Sequence, residues 1–94
     1  MGRPRLVQID GIYCEAPLDG NVLFLKNEDI PGVIGYIGGV LGRNGINIAT
    51  FSLGRHRAGG EAVSMIETDQ AVPSGVLSEL LGNSAVTLAR TVQF

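Results

Sequence analysis

Tryptophan is absent from this 94-residue sequence, and cysteine and histidine occur once each, as Cys14 and His56. One cysteine excludes an internal disulfide framework and a cysteine metal cluster. Nothing close to Cys14 in sequence would lower its pKa into the range of a nucleophile. His56, in a charged segment between Arg55 and Arg57, lacks the co-ligands of a metal site and the orienting carboxylate of a general base. Seven basic residues against nine acidic ones leave a net charge of −2, and the basic residues form no block. A nucleic-acid surface is therefore not expected. No apolar run approaches the roughly 20 residues that cross a bilayer. Met1-Gly2-Arg3-Pro4-Arg5 is followed by neither an apolar signal core nor a small-residue cleavage site. A soluble, cytoplasmic chain without membrane contact is the expectation.

Further absences narrow the chemistry. Aromatic residues make up 5%; an RNA-reading sheet needs stacking aromatics in a basic surround, and Phe24, Phe51 and Phe94 have none. The paired-cysteine loop of a metal chaperone is missing. The stretch Gly32-Val33-Ile34-Gly35-Tyr36-Ile37-Gly38-Gly39 contains no Gly-x-Gly-x-x-Gly, and its glycines fall inside a predicted helix instead of in the turn before it. No Gly-x-x-x-x-Gly-Lys loop occurs either. Neither a cofactor site, a metal site nor catalysis is expected of this chain.

What is present is one domain's worth of core, with 45% hydrophobic residues. From Asn21 onward the pattern gives strand, helix, strand twice over. Val22-Leu23-Phe24-Leu25 is an apolar run suited to a central strand buried on both faces. Pro31 stands where a helix begins, because its missing N–H is an orphan there anyway. Val33, Ile34, Ile37, Val40 and Leu41 follow at helical spacing, and Gly45 supplies a stop. Ile46 to Leu53 has the residue types of a second strand, and Arg55 to Gly60 those of a hairpin loop. Glu61 to Thr68 alternates, with Val63 and Met65 opposite Ala62, Ser64 and Ile66. Pro73 opens a second helix carrying Val76, Leu77, Leu80 and Leu81. The last run puts Val86, Leu88, Val92 and Phe94 on helix-facing or partner-facing positions. Two βαβ units joined by a hairpin predict an α+β, ferredoxin-like βαββαβ sandwich: a four-stranded antiparallel sheet with two helices on one face.

Residues 1–20 stand outside this repeat. Asp10-Gly11, flanked by Leu6-Val7-Gln8-Ile9 and Ile12-Tyr13-Cys14, is the turn pair of a tight hairpin. Such a hairpin is marginal alone and must pack on something. It is read as the tail of a preceding domain, with Pro17-Leu18-Asp19-Gly20 as the linker into a module spanning 21–94.

Two features carry a possible site. The turn Asn27-Glu28-Asp29-Ile30-Pro31-Gly32 leads into a helix N-terminus, whose unpaired N–H groups and partial positive charge suit a carboxylate. Asp29 is either a simple N-cap or a partner for a ligand's ammonium group, and Gly32 allows close backbone approach. Asn47 interrupts the run Ile46-Asn47-Ile48-Ala49, either as a solvated edge position or as a buried amide that needs a partner. The excess of glycine, 14 residues against an average usage of about 7%, has its own pattern. Gly35, Gly38, Gly39 and Gly42 share an arc of about 100°, opposite the apolar stripe. That arc is either tolerated drift or a face against which another backbone packs.

The run Asn27 to Gly35, followed by Gly45-Ile46-Asn47-Ile48-Ala49, resembles the ACT domain, a ligand-binding regulatory module of amino-acid metabolism. The likeness covers Asn21 to Phe94. Arg5 to Ile12 and Glu15-Ala16-Pro17-Leu18 are similar to the end of the domain that precedes the ACT domain in long-form D-3-phosphoglycerate dehydrogenases. Ser52-Leu53-Gly54-Arg55 and Gly59-Gly60-Glu61-Ala62 are similar to that family too. The resemblance implies a parent oxidoreductase that uses NAD in the first step of serine synthesis, with no NAD site in this chain. It implies feedback inhibition by L-serine, or binding of another small amino acid, held by Asn27 and Asp29 of one domain and Asn47 of its neighbour. It also implies self-association by side-by-side pairing. Asn27 stands where the family more usually has histidine or tyrosine. Two other readings are kept: the ACT domain of another amino-acid enzyme, such as the iron–sulfur L-serine dehydratase, and a pairing module with an empty pocket.

Overall fold

The computed structural model describes residues 4–9, 11–17, 19–55 and 60–94. Among these residues, six strands and two helices follow in the order β1 (Pro4–Ile9), β2 (Ile12–Pro17), β3 (Asn21–Glu28), α1 (Val33–Arg43), β4 (Ile48–Arg55), β5 (Glu61–Thr68), α2 (Ser74–Leu81) and β6 (Val86–Gln93). Strands β3 to β6 form one antiparallel sheet in the order β4-β5-β3-β6, and β1 pairs with β2 in a separate hairpin. From Asn21 onward this is the expected βαββαβ sandwich.

β3 is central, and its side chains alternate between two cores. Leu23 and Leu25 join Val33, Ile37, Val40 and Leu41 of α1, Val76 and Leu80 of α2, and Ile66 of β5. Val22 packs on the other side with Val63 and Met65 of β5, against Ile12, Cys14 and Ala16 of β2, with Phe24 at the margin. The hairpin therefore lies on the sheet face that the helices leave open, which makes a three-layer structure. Its turn is two residues long, since Ile9 is paired with Ile12.

Gly54 explains how closely the hairpin docks. A Cβ at that position would lie 2.2 Å from the backbone oxygen of Tyr13 and 2.8 Å from Cys14 Cβ. Only a residue without a side chain lets β2 cross β4 there.

Several expectations shift in detail. The strand expected from Ile46 begins at Ile48 and continues to Arg55. Asn47 consequently precedes the strand instead of interrupting it. Ile34 was expected on the buried stripe of α1 but is 42% exposed, because it stands at the border of the arc that faces the sheet. Leu81 is likewise exposed, at the last turn of α2. Val86 enters the helix-side core. Leu88 and Val92 pair with Lys26 and Val22 and so face the hairpin's side, and Phe94 is exposed. His56 and most of the expected hairpin loop lie outside the described residues. Among those described, no helix is long and apolar enough to cross a membrane.

Candidate functional site

Asn27 occupies the next-to-last position of β3, on the face that meets the helices. It is 2% exposed, so its amide must be satisfied within the protein. Its Oδ1 accepts a hydrogen bond from Ser64 Oγ at 3.0 Å, and its Nδ2 donates to the Glu28 carbonyl at 3.2 Å. The register of β3 against β6 shifts between Lys26 and Asn27, which loosens the ladder where the chain leaves the sheet.

Asp29 follows directly. Its backbone N–H donates to the Gly60 carbonyl at 2.7 Å, and its Oδ2 accepts from Arg55 Nη1 at 2.7 Å. The side chain is 19% exposed, against 51% for Arg55. Of the two readings of Asp29, the N-cap one is therefore set aside. The cap position is Gly32, at φ 90°, and no side chain caps the helix. Pro31 and Gly32 form a turn of their own that separates Asp29 from α1. A left-handed residue at the cap suits glycine, and its carbonyl accepts from Tyr36 N–H at 2.9 Å. The first turn of α1 holds no acidic residue, so its N–H groups and partial positive charge meet no counter-charge from the helix itself.

Asn47 is exposed and lies just before β4. Its Nδ2 donates to Asp69 Oδ2 at 2.6 Å, and its carbonyl accepts from Asp69 N–H at 3.1 Å. Asn27, Asp29 and Gly32 are thus gathered at one end of the sheet, while Asn47 stands at the other. The register shows this directly: Ile48 pairs with Thr68 and, across β5, with Asn21, whereas Arg55 pairs with Ala62 and, beyond it, Asn27. The length of β4 between those ends is roughly 23 Å. One copy of the chain does not bring the four residues together. β4 is, however, an edge strand.

Arg55 is the functional candidate that residue patterning missed. It was assigned to a loop, but it closes β4 on the helix side, opposite Ala62, and from there reaches Asp29. The usable signal was an arginine directly after the apolar run that ends at Leu53-Gly54, in a sequence with seven basic residues.

The remaining reactive groups lie elsewhere. Cys14 is 3% exposed beneath the hairpin, and burial pushes its thiol pKa up, which disfavours the nucleophilic thiolate. Among the described residues no cluster of histidine, cysteine and acidic side chains has the arrangement of a metal site. Glu79 of α2 accepts from Arg43 Nη2 at 2.5 Å and Asn44 Nδ2 at 3.1 Å. Those two hydrogen bonds hold its carboxyl below its ordinary value and tie the two helices together.

Comparison with known proteins places the same segment in context. The family model described as the ACT domain matches residues 21–83. A D-3-phosphoglycerate dehydrogenase of Bacillus subtilis is 38% identical over 76 residues, 81% of this chain and 14% of the relative. One of Synechocystis is 34% identical over 92 residues, 98% of this chain and 17% of the relative, a match long enough to include the hairpin. One of Methanocaldococcus jannaschii is 35% identical over 78 residues, 83% of this chain and 15% of the relative. The chain therefore spans less than a fifth of the length of these relatives.

Proposed function

This chain belongs to the ACT-domain family, and from that premise we propose that it is the effector-sensing module of a D-3-phosphoglycerate dehydrogenase, binding L-serine at a seam between two copies. The names of its relatives support the parent enzyme. The helix glycines Gly35, Gly38, Gly39 and Gly42 lie within α1 and not in the turn before it, so they form no dinucleotide cradle. NAD and the oxidoreductase chemistry belong to the rest of that enzyme, and the hairpin to the domain that precedes the ACT module.

The observation that carries the reading is the separation of the site residues along an edge strand. When two β4 edges pair antiparallel about a two-fold axis, the start of one strand meets the end of the other. Asn47 of one copy then stands beside Asp29 and the α1 N-terminus of its neighbour. Pairing through β6 would leave Asn47 on the far edge of each sheet, with β5 and β3 in between. Exposed apolar residues lie at both edges, with Val92 and Phe94 at β6. Leu53 lies on β4 and is 41% exposed, and Ile30 and Ile34 flank the start of α1 at 42% each.

At such a seam Asp29 Oδ1, which has no partner among the described residues, takes the ligand's ammonium group. The first-turn N–H groups of α1 take its carboxylate, with Gly32 leaving the backbone open to approach. The neighbour's Asn47 supplies an amide for the remaining polar atoms. A ligand shared across two chains binds only the paired state and so draws the population toward it. Coupling in the usual range of about 1–3 kcal/mol changes affinity by roughly 5- to 150-fold, enough for feedback inhibition by an end product.

A second reading has its own support, because Asn27, Asp29 and Asn47 all have partners within one chain. Under that reading the domain only pairs subunits. Calorimetric titration of the 94-residue chain with L-serine and with glycine separates the two. Heat of binding that disappears in Asn47→Ala is expected for sensing, whereas absence of heat with every amino acid, together with dimers in ultracentrifugation, would leave assembly alone.

A further inference from the structure

Resting on the serine-binding reading, we propose that Arg55 is itself a ligand-binding residue that takes the carboxylate of the amino acid and makes the site selective for zwitterions. The ion pair between Arg55 Nη1 and Asp29 Oδ2, at 2.7 Å, places a guanidinium and a carboxylate side by side at the end of β4. Each has capacity left over. Among the described residues Asp29 uses one oxygen, and a guanidinium has five N–H donors in a planar fork that fits a carboxylate. A free amino acid carries the complementary pair of charges on neighbouring atoms. Laid along the ion pair, its ammonium group meets Asp29 while its carboxylate meets Arg55. All four charges are then neutralised without breaking the existing bridge.

The surroundings make this arrangement a preformed one. Asp29 is fixed through its backbone by the Gly60 carbonyl, so its carboxylate is oriented before any ligand arrives. Arg55 is the last residue of the edge strand and is half exposed, with its unused donors open to the seam at which a second copy brings Asn47. The helix N-terminus supplies only partial charge to a carboxylate. Arg55 supplies a full one, and a charge-assisted contact is about twice as strong as a neutral hydrogen bond. The pair also explains selectivity. An amine without a carboxylate places an uncompensated cation beside Arg55, and a simple carboxylic acid places an anion beside Asp29.

The test compares L-serine with L-serinamide, which keeps the ammonium group and replaces the carboxylate with a neutral amide. Both are titrated into the wild-type chain, Arg55→Gln and Arg55→Lys. Expected is a fall of about 10- to 100-fold in serine affinity in Arg55→Gln. The preference for serine over serinamide should shrink by the same factor, and Arg55→Lys should recover part of it, because the charge remains but the fork does not. Equal losses for serine and serinamide in Arg55→Gln would show that Arg55 acts only through Asp29 or the fold, and would overturn the proposal. So would a serine affinity that changes less than about three-fold. A wild-type chain that binds neither compound overturns the serine-binding reading as well, an outcome distinct from wild-type binding that is indifferent to Arg55.

Discussion

Gly54→Ala is the perturbation whose consequence follows most directly from the geometry. The added methyl carbon would fall 2.2 Å from Tyr13 O, whereas real Cβ contacts almost never come under 3.0 Å. The gap is at least 0.8 Å, the difference between those two distances. The obstructing atom belongs to the backbone of β2, where Tyr13 is paired with Gln8. It cannot rotate aside, and the whole strand has to lift. Cys14 Cβ at 2.8 Å closes the other route. Overpacking of this kind costs about 1–3 kcal/mol, and here the cost falls on the contact between hairpin and sheet.

Cys14 reports the result without a label. Its side chain is buried between β2 and the sheet, and burial raises its pKa. Reaction with a thiol reagent at pH 8 therefore requires local opening of the hairpin. A loss of 1–3 kcal/mol in that opening equilibrium accelerates the reaction by roughly 5- to 150-fold. The released thiol also returns toward its ordinary pKa and gains reactivity. Gly35→Ala is the control for the Cys14 rate, because nothing lies within 4 Å of a Cβ at Gly35. If Gly54→Ala leaves both the Cys14 rate and the denaturant midpoint at wild-type values, the close crossing of β2 over β4 is refuted.

Two further outcomes follow from the helices. Gly38→Ala with Gly39→Ala should raise the stability of the single chain by about 1.5–2 kcal/mol in a denaturant melt, since a Cβ at Gly38 meets nothing and one at Gly39 meets only Arg43 Nη1 at 3.6 Å. Sedimentation should show weaker self-association; association left unchanged would mean that no second backbone packs on the glycine arc. Glu79→Gln tests the tie between helices through pH. The carboxyl pKa is lowered from 4.5 in the folded state, first by the hydrogen bond from Arg43, so its contribution is present above the unfolded value and is lost as pH falls through the folded one. The melting temperature of the wild type should therefore drop more steeply below about pH 4.5 than that of Glu79→Gln; parallel curves would show that the tie is energetically idle.

Local pattern revealed most of the architecture because the core is built from local periodicities. The alternation of β5 separates Val63 and Met65 from Ala62, Ser64 and Ile66 in the structure as it does in the sequence. Pro73 holds the cap position of α2, and Gly45 follows α1 at φ 71°. The misplacements share a cause, which is that distant partners decide them. Ile46-Asn47-Ile48 has strand-like alternation, yet Ile46 N–H bonds to the Leu41 carbonyl and Asn47 to Asp69, so the chain enters the sheet later. Asp29 has the residue type and place of an N-cap, but Arg55, far along the chain, holds its carboxylate. Of the site, residue types were legible and their relative placement was not. Edge position and register, which separate Asn47 from Asp29, are properties of the whole sheet.

Gly54 and Arg55 are consecutive residues of an edge strand, and consecutive residues of a strand face opposite ways. One receives the hairpin and the other holds Asp29. The end of β4 is therefore gripped from both faces, by the Tyr13 backbone on one and by an ion pair on the other. A single peptide unit links the two grips, so a displacement of the Arg55 backbone, as distinct from rotation of its side chain, meets the β2 backbone behind Gly54. Packed backbone of this kind shifts between discrete arrangements rather than deforming smoothly. Under the proposed serine-binding reading, this is the route by which occupancy of the seam would reach the hairpin. The close backbone crossing at Gly54 thus stands next to the half-exposed side chain of Arg55.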